Sequence, residues 1–302
     1  MEGQHEMEAA MRQRGVPFIS REPLARHTTF KIGGPAALFA APQNEGQLLQ
    51  ALALCRAAGI RHTLMGRGSN LLFADEGFDG VVLCLDGVQE GISVQQNNIT
   101  AWAGVSLGRL CTAAAAAGLS GLEFAMGIPG SVGGAVYMNA GAYGGEVKDV
   151  LAEVSFADEA GEVRTLPAGA LQLGYRTSVF QRQKGWCILS ARFALHLDAP
   201  QRIDAAMAEY LARRRAKQPL DLPSAGSAFK RPQGAFAAAL VEQCGLKGFR
   251  VGGAAVSEKH SGFVVNLGGA SCADVLRLTD EVARIVKEQT GFLLEREVQV
   301  VR

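Results

Sequence analysis

Gly127-Ile-Pro-Gly-Ser-Val-Gly-Gly-Ala-Val-Tyr-Met-Asn-Ala-Gly-Ala-Tyr-Gly-Gly145 is the stretch on which the reading of this chain turns. Counted from Gly121 to Gly145, eight of twenty-five residues are glycine. Side chains are missing where backbone must come close to something. Glycine permits positive φ and leaves N–H groups uncovered, and successive uncovered N–H groups form concave nests that hold anions such as a diphosphate. A shorter segment of the same character, Gly66-Arg-Gly-Ser-Asn70, lies between a strand ending at Met65 and the apolar Leu71-Leu-Phe73. Neither follows the G-x-G-x-x-G strand-to-helix pattern, and no G-x-x-x-x-G-K-[ST] occurs, which disfavours a Rossmann dinucleotide site and a Walker A loop. Tight turns in a β-rich domain are the plain alternative. Two clusters with Ser and Asn groups interleaved weigh against it.

The rest of the composition bounds the problem. A chain of 302 residues holds roughly two domains. With 48% hydrophobic and 20% charged residues it can build real cores, so disorder is excluded. Thirty basic against twenty-nine acidic side chains give +1, which removes the electrostatic basis for a nucleic-acid or anionic-membrane protein and leaves only local anion sites. The 37 glycines are the abnormal count. Residues 1–20 contain no apolar run of signal-peptide length and no later segment approaches a membrane span, so a cytoplasmic chain is expected. The six cysteines, at 55, 84, 111, 187, 244 and 272, are far apart, and no Cys/His cluster has metal-ligand spacing; buried free thiols and no metal are expected.

The periodicity mixes strands with short helices over the first two-thirds. Asn44 caps a predicted helix through Ala58, and Ser106 caps an Ala-rich helix that stops at Gly118. Strands are predicted at 62–65, 81–85, 99–103, 151–156 and 186–195. Pro200 opens a different stretch: a helix with Ile203, Met207, Tyr210 and Leu211 on one face and Arg213, Arg214 and Arg215 at a solvated end. A loop at 218–234, a short helix near 235–243, a strand at 263–266, a long helix capped by Ser271 and ended by Gly291, and an alternating strand from Leu294 to Val301 complete the prediction. A boundary is placed near residues 197 to 200.

Five ordered motifs now carry a resemblance. Gly66-Arg-Gly-Ser-Asn-Leu-Leu72, Gly127-Ile-Pro-Gly-Ser-Val-Gly-Gly134 with Asn139-Ala-Gly141, Tyr175-Arg176, Ala225-Gly-Ser-Ala-Phe-Lys230 and Arg296-Glu-Val298 make the chain, from about Thr28 to Val301, similar to the UDP-N-acetylenolpyruvoylglucosamine reductase family. The resemblance implies an α+β architecture: a helical leader at 1–27, an FAD-binding domain of the vanillyl-alcohol-oxidase (PCMH) type in two subdomains at 28–197, and a C-terminal α+β substrate domain at 198–302. It implies non-covalently bound FAD, with NADPH as co-substrate. The FAD diphosphate would lie against Gly66, Arg67, Gly68, Ser69 and Asn70 and against Gly127, Ile128, Pro129, Gly130, Ser131, Gly133 and Gly134, with Asn139 and Ala140 nearby. Uncovered N–H groups point to an anion at these loops independently of the resemblance; flavin comes from the resemblance alone.

Arg176, in the polar loop Leu173-Gly-Tyr-Arg-Thr-Ser178, has the fork geometry to bind a carboxylate in bidentate fashion. Ser227 has no G-x-S-x-G elbow and does not indicate a hydrolase. On a strand Glu295 and Glu297 share a face, and the residues alone do not choose between them; the family pattern selects Glu297. Carried over, the resemblance implies two half-reactions in peptidoglycan precursor synthesis. NADPH reduces FAD, and flavin N5 then delivers hydride to the methylene carbon of the enolpyruvyl ether of UDP-N-acetylglucosamine. Arg176 and a protonated Glu297 would stabilise the enol-like intermediate, and Ser227 would protonate the adjacent carbon to give UDP-N-acetylmuramate.

For the substrate diphosphate the candidates are Tyr175, Lys217, Lys230 and Arg231, with Lys217 foremost because it matches the family's position ahead of the Ser-bearing loop. His260 reads equally as a site-lining or a structural residue. About ten residues separate Tyr175 from Trp186, too few for the tyrosine-bearing lid of one branch, so the chain resembles the shorter branch. The rivals are a flavin oxidase of the same fold, which often carries a flavin-linked histidine where Arg67 and Ser69 stand, and a non-catalytic nucleotide-binding protein, which has no use for a proton donor. No nucleic acid, membrane or obligate protein partner is expected.

Overall fold

The computed structural model describes residues 2–86 and 91–302; Met1 and residues 87–90, within the expected leader and FAD domain, lie outside the described residues. Packing divides the chain into two units. The first comprises residues 1–20, 38–67 and 80–213, and the second residues 21–37, 68–79 and 214–302. The division therefore interleaves along the chain, where periodicity offers only a contiguous cut near 197 to 200. That position is the start of the helix Pro200–Lys217, and the packing boundary falls inside this helix, between Arg213 and Arg214.

In the first unit a five-stranded antiparallel sheet has the order Val163–Pro167, Leu151–Ala157, Cys187–Ala194, Asn98–Trp102, Ile92–Gln95. A four-stranded sheet has the order Phe18–Pro23, Pro35–Ala40, Phe78–Cys84, His62–Met65, its last pair parallel with His62 opposite Val81 and Met65 opposite Cys84. The helix Glu45–Ala57 starts as its sequence dictates: Asn44 in extended conformation accepts from the N–H of Gln47, and Leu48, Ala51, Leu52 and Cys55 turn into the core. Ser106 does the same for Leu107–Ala116. These faces join Ile99, Phe156 and Phe193, all fully buried, in one continuous apolar cluster. The expected helical leader is helical only over Glu2–Gln13; Phe18–Pro23 is a strand and Leu24–Arg26 a 3-10 turn. Its Met7 and Met11 are buried in the same cluster, so the segment is part of the core.

The second unit is built on a four-stranded antiparallel sheet in the order Ser224–Ser227, Phe263–Asn266, Ala254–Val256, Arg250–Val251. The helix Cys272–Thr290 packs Val275, Leu278, Val282 and Val286 against it. Its N-terminus is fully accounted for: Asp75 accepts from the N–H groups of Cys272 (2.7 Å) and Ala273 (3.0 Å), and Ser271 Oγ from that of Asp274 (3.0 Å). Gly291, at φ 78°, ends it in the left-handed region.

Two expectations fail locally. The predicted loop 218–234 contains the strand Ser224–Ser227, obscured because a register shift and Gly226 at φ 79° break its alternation. The predicted strand from Leu294 is regular only over Gln299–Val301, which pairs in parallel with Leu71–Phe73. Among the described residues no helix is long and apolar enough to cross a membrane. Five of the six cysteines are buried and Cys244 is partly so; burial pushes the thiols of Cys55 and Cys84 up to about 11 and that of Cys111 to about 12.

Candidate active site

In the first unit the two glycine clusters meet. A Cβ added to Gly66 would lie 2.0 Å from Ser131 Oγ and 2.8 Å from Ser131 Cβ, so glycine is what lets the first loop reach the second. Cys84 Sγ turns toward the Gly66 carbonyl at 3.7 Å, and Arg67 pairs with Asp86 at 3.1 Å. Ser131 caps the short helix Val132–Met138, its Oγ accepting from the N–H of Gly134 at 3.4 Å.

The backbone of this segment is only partly available to a ligand. The Val132 N–H donates to the Val105 carbonyl, the Gly133 N–H to that of Ala103, and the Ile128 N–H to that of Ala125. A Cβ on Gly133 would stand 2.9 Å from that of Ala103. Gly133, expected at the cofactor, thus has both its N–H and its Cβ position met by Ala103. Asn139, also expected near the cofactor, has its side chain engaged within the protein. At 1% exposure, its Oδ1 accepts from the Lys148 N–H (2.9 Å) and its Nδ2 donates to Glu146 Oε2 (2.6 Å) and to the Gly174 carbonyl (2.9 Å). The side chain is spent inside the protein. Ala140 likewise donates its N–H to Ala135 and accepts from Val147.

Through Asn139 the helix reaches the loop that bears Tyr175 and Arg176. Gly174 and Thr177 close a tight turn by exchanging backbone hydrogen bonds of 3.1 and 3.2 Å, and Arg176 sits within it at φ 54°. Gln181 Nε2 donates to the Arg176 carbonyl at 2.9 Å. The Arg176 guanidinium lies 5.2 Å from the Tyr175 ring centre, and Tyr175 is 49% exposed.

The other candidates gather in the second unit. Ser227 pairs with Phe263 at a sheet edge. The next residue, Ala228, accepts the Glu297 N–H at 2.8 Å, Phe229 bridges to Arg296, and Lys230 donates its N–H to Glu295 at 2.8 Å. An isolated bridge, not the predicted regular strand, thus sets Glu297 beside the Ser227 segment. It also separates the two glutamates: Glu295 pairs in the open with Lys230 Nζ at 3.2 Å. The end of the first glycine loop joins this group, since Asn70 Nδ2 donates to the Glu297 carbonyl (3.3 Å) and the Asn70 carbonyl accepts from Gln299 (3.0 Å). Thr29 donates its N–H to the Gly68 carbonyl and its hydroxyl to that of Ser224, at 3.2 and 2.7 Å.

Of the proposed diphosphate ligands, Lys217 is exposed, Lys230 is engaged by Glu295, and the Arg231 guanidinium stacks 4.6 Å from the Phe236 ring centre. Arg214, expected at a solvated helix end, is buried and donates from Nη1 to Gln218 at 3.1 Å. His260 Nδ1 accepts the Gly262 N–H at 3.1 Å, which leaves its proton on Nε2, and burial pulls its pKa below 6.5. Thr29, Gln181 and Asp75 escape sequence reading because their bonds join distant or unpatterned positions; Thr29 and Ser224 are 195 residues apart.

The profile of the FAD binding domain matches residues 36–167. The solved structure of berberine bridge enzyme from Eschscholzia californica, 14% identical, superposes with a TM-score of 0.50 over 64% of this chain and 44% of that one. The fold is thus that of a flavoprotein with an FAD-binding domain of the vanillyl-alcohol-oxidase type. The profile of the UDP-N-acetylenolpyruvoylglucosamine reductase C-terminal domain matches residues 218–301. A relative named UDP-N-acetylenolpyruvoylglucosamine reductase, from Agathobacter rectalis, is 47% identical over 296 residues, 94% of each chain. The crystal structure of the enzyme of that name from Thermus caldophilus, 36% identical, superposes with a TM-score of 0.78 over 95% of this chain and 99% of that one. The chain belongs to the UDP-N-acetylenolpyruvoylglucosamine reductase family, oxidoreductases that use FAD and NADPH.

Proposed function

We propose that the chain reduces the enolpyruvyl ether of UDP-N-acetylglucosamine to the lactyl ether of UDP-N-acetylmuramate in the cytoplasm, with Arg176, Ser227 and Glu297 as its catalytic residues. The observation that supports the residue assignment is the backbone bond from the Glu297 N–H to the Ala228 carbonyl, which brings the Glu297 segment beside the Ser227 segment from positions about 70 residues apart.

The glycine segments fit a flavin dinucleotide. The carbonyls of Gly66, Gly68 and Asn70 are each taken by a protein donor, which fixes the backbone of that loop. In the second segment the N–H groups of Gly127, Gly130 and Ser131 are the candidates to hold a diphosphate. FAD, when bound, supplies the hydride transfer from NADPH to the methylene carbon of the substrate. The protein's own tasks are charge and proton. Arg176, with a fixed charge and a planar fork of donors, binds the carboxylate whose charge grows as hydride arrives; Glu297 supports the same charge. Ser227 gives its proton to the ether-bearing carbon, and the neighbouring charged groups must stabilise the alkoxide left behind. Lys217 and Tyr175, exposed on their units, remain the candidates for the diphosphate, whereas Lys230 has first to leave Glu295.

Ser227→Ala separates the half-reactions. Anaerobic NADPH bleaches the flavin at the wild-type rate, and subsequent enolpyruvyl UDP-N-acetylglucosamine restores colour about 10²–10³-fold more slowly. Loss of the NADPH step would assign Ser227 another role, and unchanged reoxidation would remove it from the chemistry.

A further inference from the structure

Arg176 occupies a backbone conformation that its own sequence does not favour. In the turn Gly174–Thr177 it lies at φ 54°, where a Cβ crowds the neighbouring carbonyl and where glycine or asparagine is usual. The turn's own backbone bonds, Gly174 to Thr177 in both directions, close the loop but do not fix the Arg176 peptide. That is done from outside. Gln181 Nε2 points at two carbonyl oxygens, those of Arg176 (2.9 Å) and Tyr137 (3.0 Å). Two acceptors facing one amide fix which end of the amide is nitrogen, and both of its hydrogens are used. Ser178 Oγ adds a second donor to the Tyr137 carbonyl at 2.7 Å.

Tyr137 is the penultimate residue of Val132–Met138, so its carbonyl is one that the helix itself leaves without a partner. The same helix begins at Ser131, against Gly66. Gln181 therefore ties the backbone of Arg176 to the far end of the element whose near end sits in the glycine loops. We propose that Gln181 is the positioning residue for Arg176: it holds the left-handed peptide so that the guanidinium meets the substrate carboxylate at a fixed height above the glycine segment. Its Nε2 also lies 3.7 Å from Met138 Sδ, so the same amide holds the helix end and the Arg176 turn together. The inference rests on the assignment of Arg176 to the substrate carboxylate.

The test compares Gln181→Met, which keeps the length and removes both donors, with Gln181→Glu and Arg176→Ala in the FAD-loaded protein. Misplacing a charged group by about 1 Å can cost on the order of 10²-fold. Gln181→Met is expected to bind the enolpyruvyl substrate about tenfold more weakly to the oxidised protein by titration calorimetry and to slow flavin reoxidation about 10–100-fold. FAD content and flavin reduction by NADPH should stay within twofold of wild type. In Gln181→Glu a carboxylate faces two carbonyl oxygens, and only its protonated form donates, to one of them. Its reoxidation rate should recover toward wild type as pH falls, a dependence that loss of packing would not give.

The double variant Arg176→Ala/Gln181→Met should be no slower than Arg176→Ala alone. If Arg176→Ala reoxidises normally, the assignment of Arg176 fails. If Arg176→Ala is slow while Gln181→Met is normal, the positioning role fails. It fails equally if the two losses multiply, or if Gln181→Met loses FAD and NADPH reduction in parallel with reoxidation.

Discussion

Replacing Gly66 by alanine tests a close approach that the glycine excess explains. The new Cβ would stand 2.0 Å from Ser131 Oγ and 2.8 Å from Ser131 Cβ. Rotation about the Ser131 side-chain bond relieves the first contact but not the second, which stays about 1 Å inside an ordinary carbon–carbon contact. Rotation also removes the hydroxyl from the Gly134 N–H and uncaps Val132–Met138. Forced backbone displacement in a packed interior costs about 1–3 kcal/mol, and loss of a serine cap about 0.5–2 kcal/mol. The expected destabilisation is therefore about 2–4 kcal/mol, read as the shift in urea denaturation midpoint at a fixed FAD concentration. Ser131→Gly deletes both clashing atoms, so Gly66→Ala should cost less than about 0.5 kcal/mol in that background, a coupling that a double-mutant cycle isolates. An unchanged midpoint in Gly66→Ala, or a full loss that persists with Ser131→Gly, would refute the argument that this glycine exists for loop-to-loop contact.

Asp75→Ala removes the acceptor for two N–H groups at the start of Cys272–Thr290 and should cost about 1–2 kcal/mol, with Asp75→Asn milder; equal midpoints for all three proteins would show that water serves these donors as well. His260 predicts a pH dependence. Burial lowers its folded pKa below 6.5, so its contribution is fully present above about 6.5 and is lost as pH falls through the folded value, when protonation of Nδ1 also breaks the bond from Gly262. Glu242 opposes that shift, and Lys247 and Lys217 reinforce it. The denaturation midpoint of wild type relative to His260→Gln should therefore fall between pH 8 and pH 5, and a difference that is flat with pH would refute the assignment.

Local chemistry was legible in the sequence. Asn44, Ser106 and Ser271 start helices where their side-chain oxygens say, Gly59, Gly118 and Gly291 stop them in the left-handed region, and the apolar stripe of Cys272–Thr290 is the buried one. These features depend on neighbours within one or two turns, which a linear reading contains. The catalytic candidates were legible only through the resemblance, because a lone arginine, serine or glutamate has no period. Misreadings occurred where pairing is irregular or distant: the bulged strand at Ser224–Ser227 and the bridge that replaces a strand at Arg296.

The sequence by itself determined that two glycine-rich loops must lie close to something, that no global field attracts a polyanion, and where the helices begin and end. Only the tertiary structure decided what each glycine approaches. Gly66 meets Ser131 and Gly133 meets Ala103, so part of the excess serves protein packing and part is left for the dinucleotide. It alone gave the two glutamates different surroundings, pairing Glu295 with Lys230 and binding the Glu297 backbone to Ala228 and Asn70. It alone showed the Asn139 side chain as a clamp on the Arg176 turn. The physical reason is common to all three: a side chain's role depends on which hydrogen-bond partners remain to it after folding, and those partners are set by contacts between residues far apart in the chain.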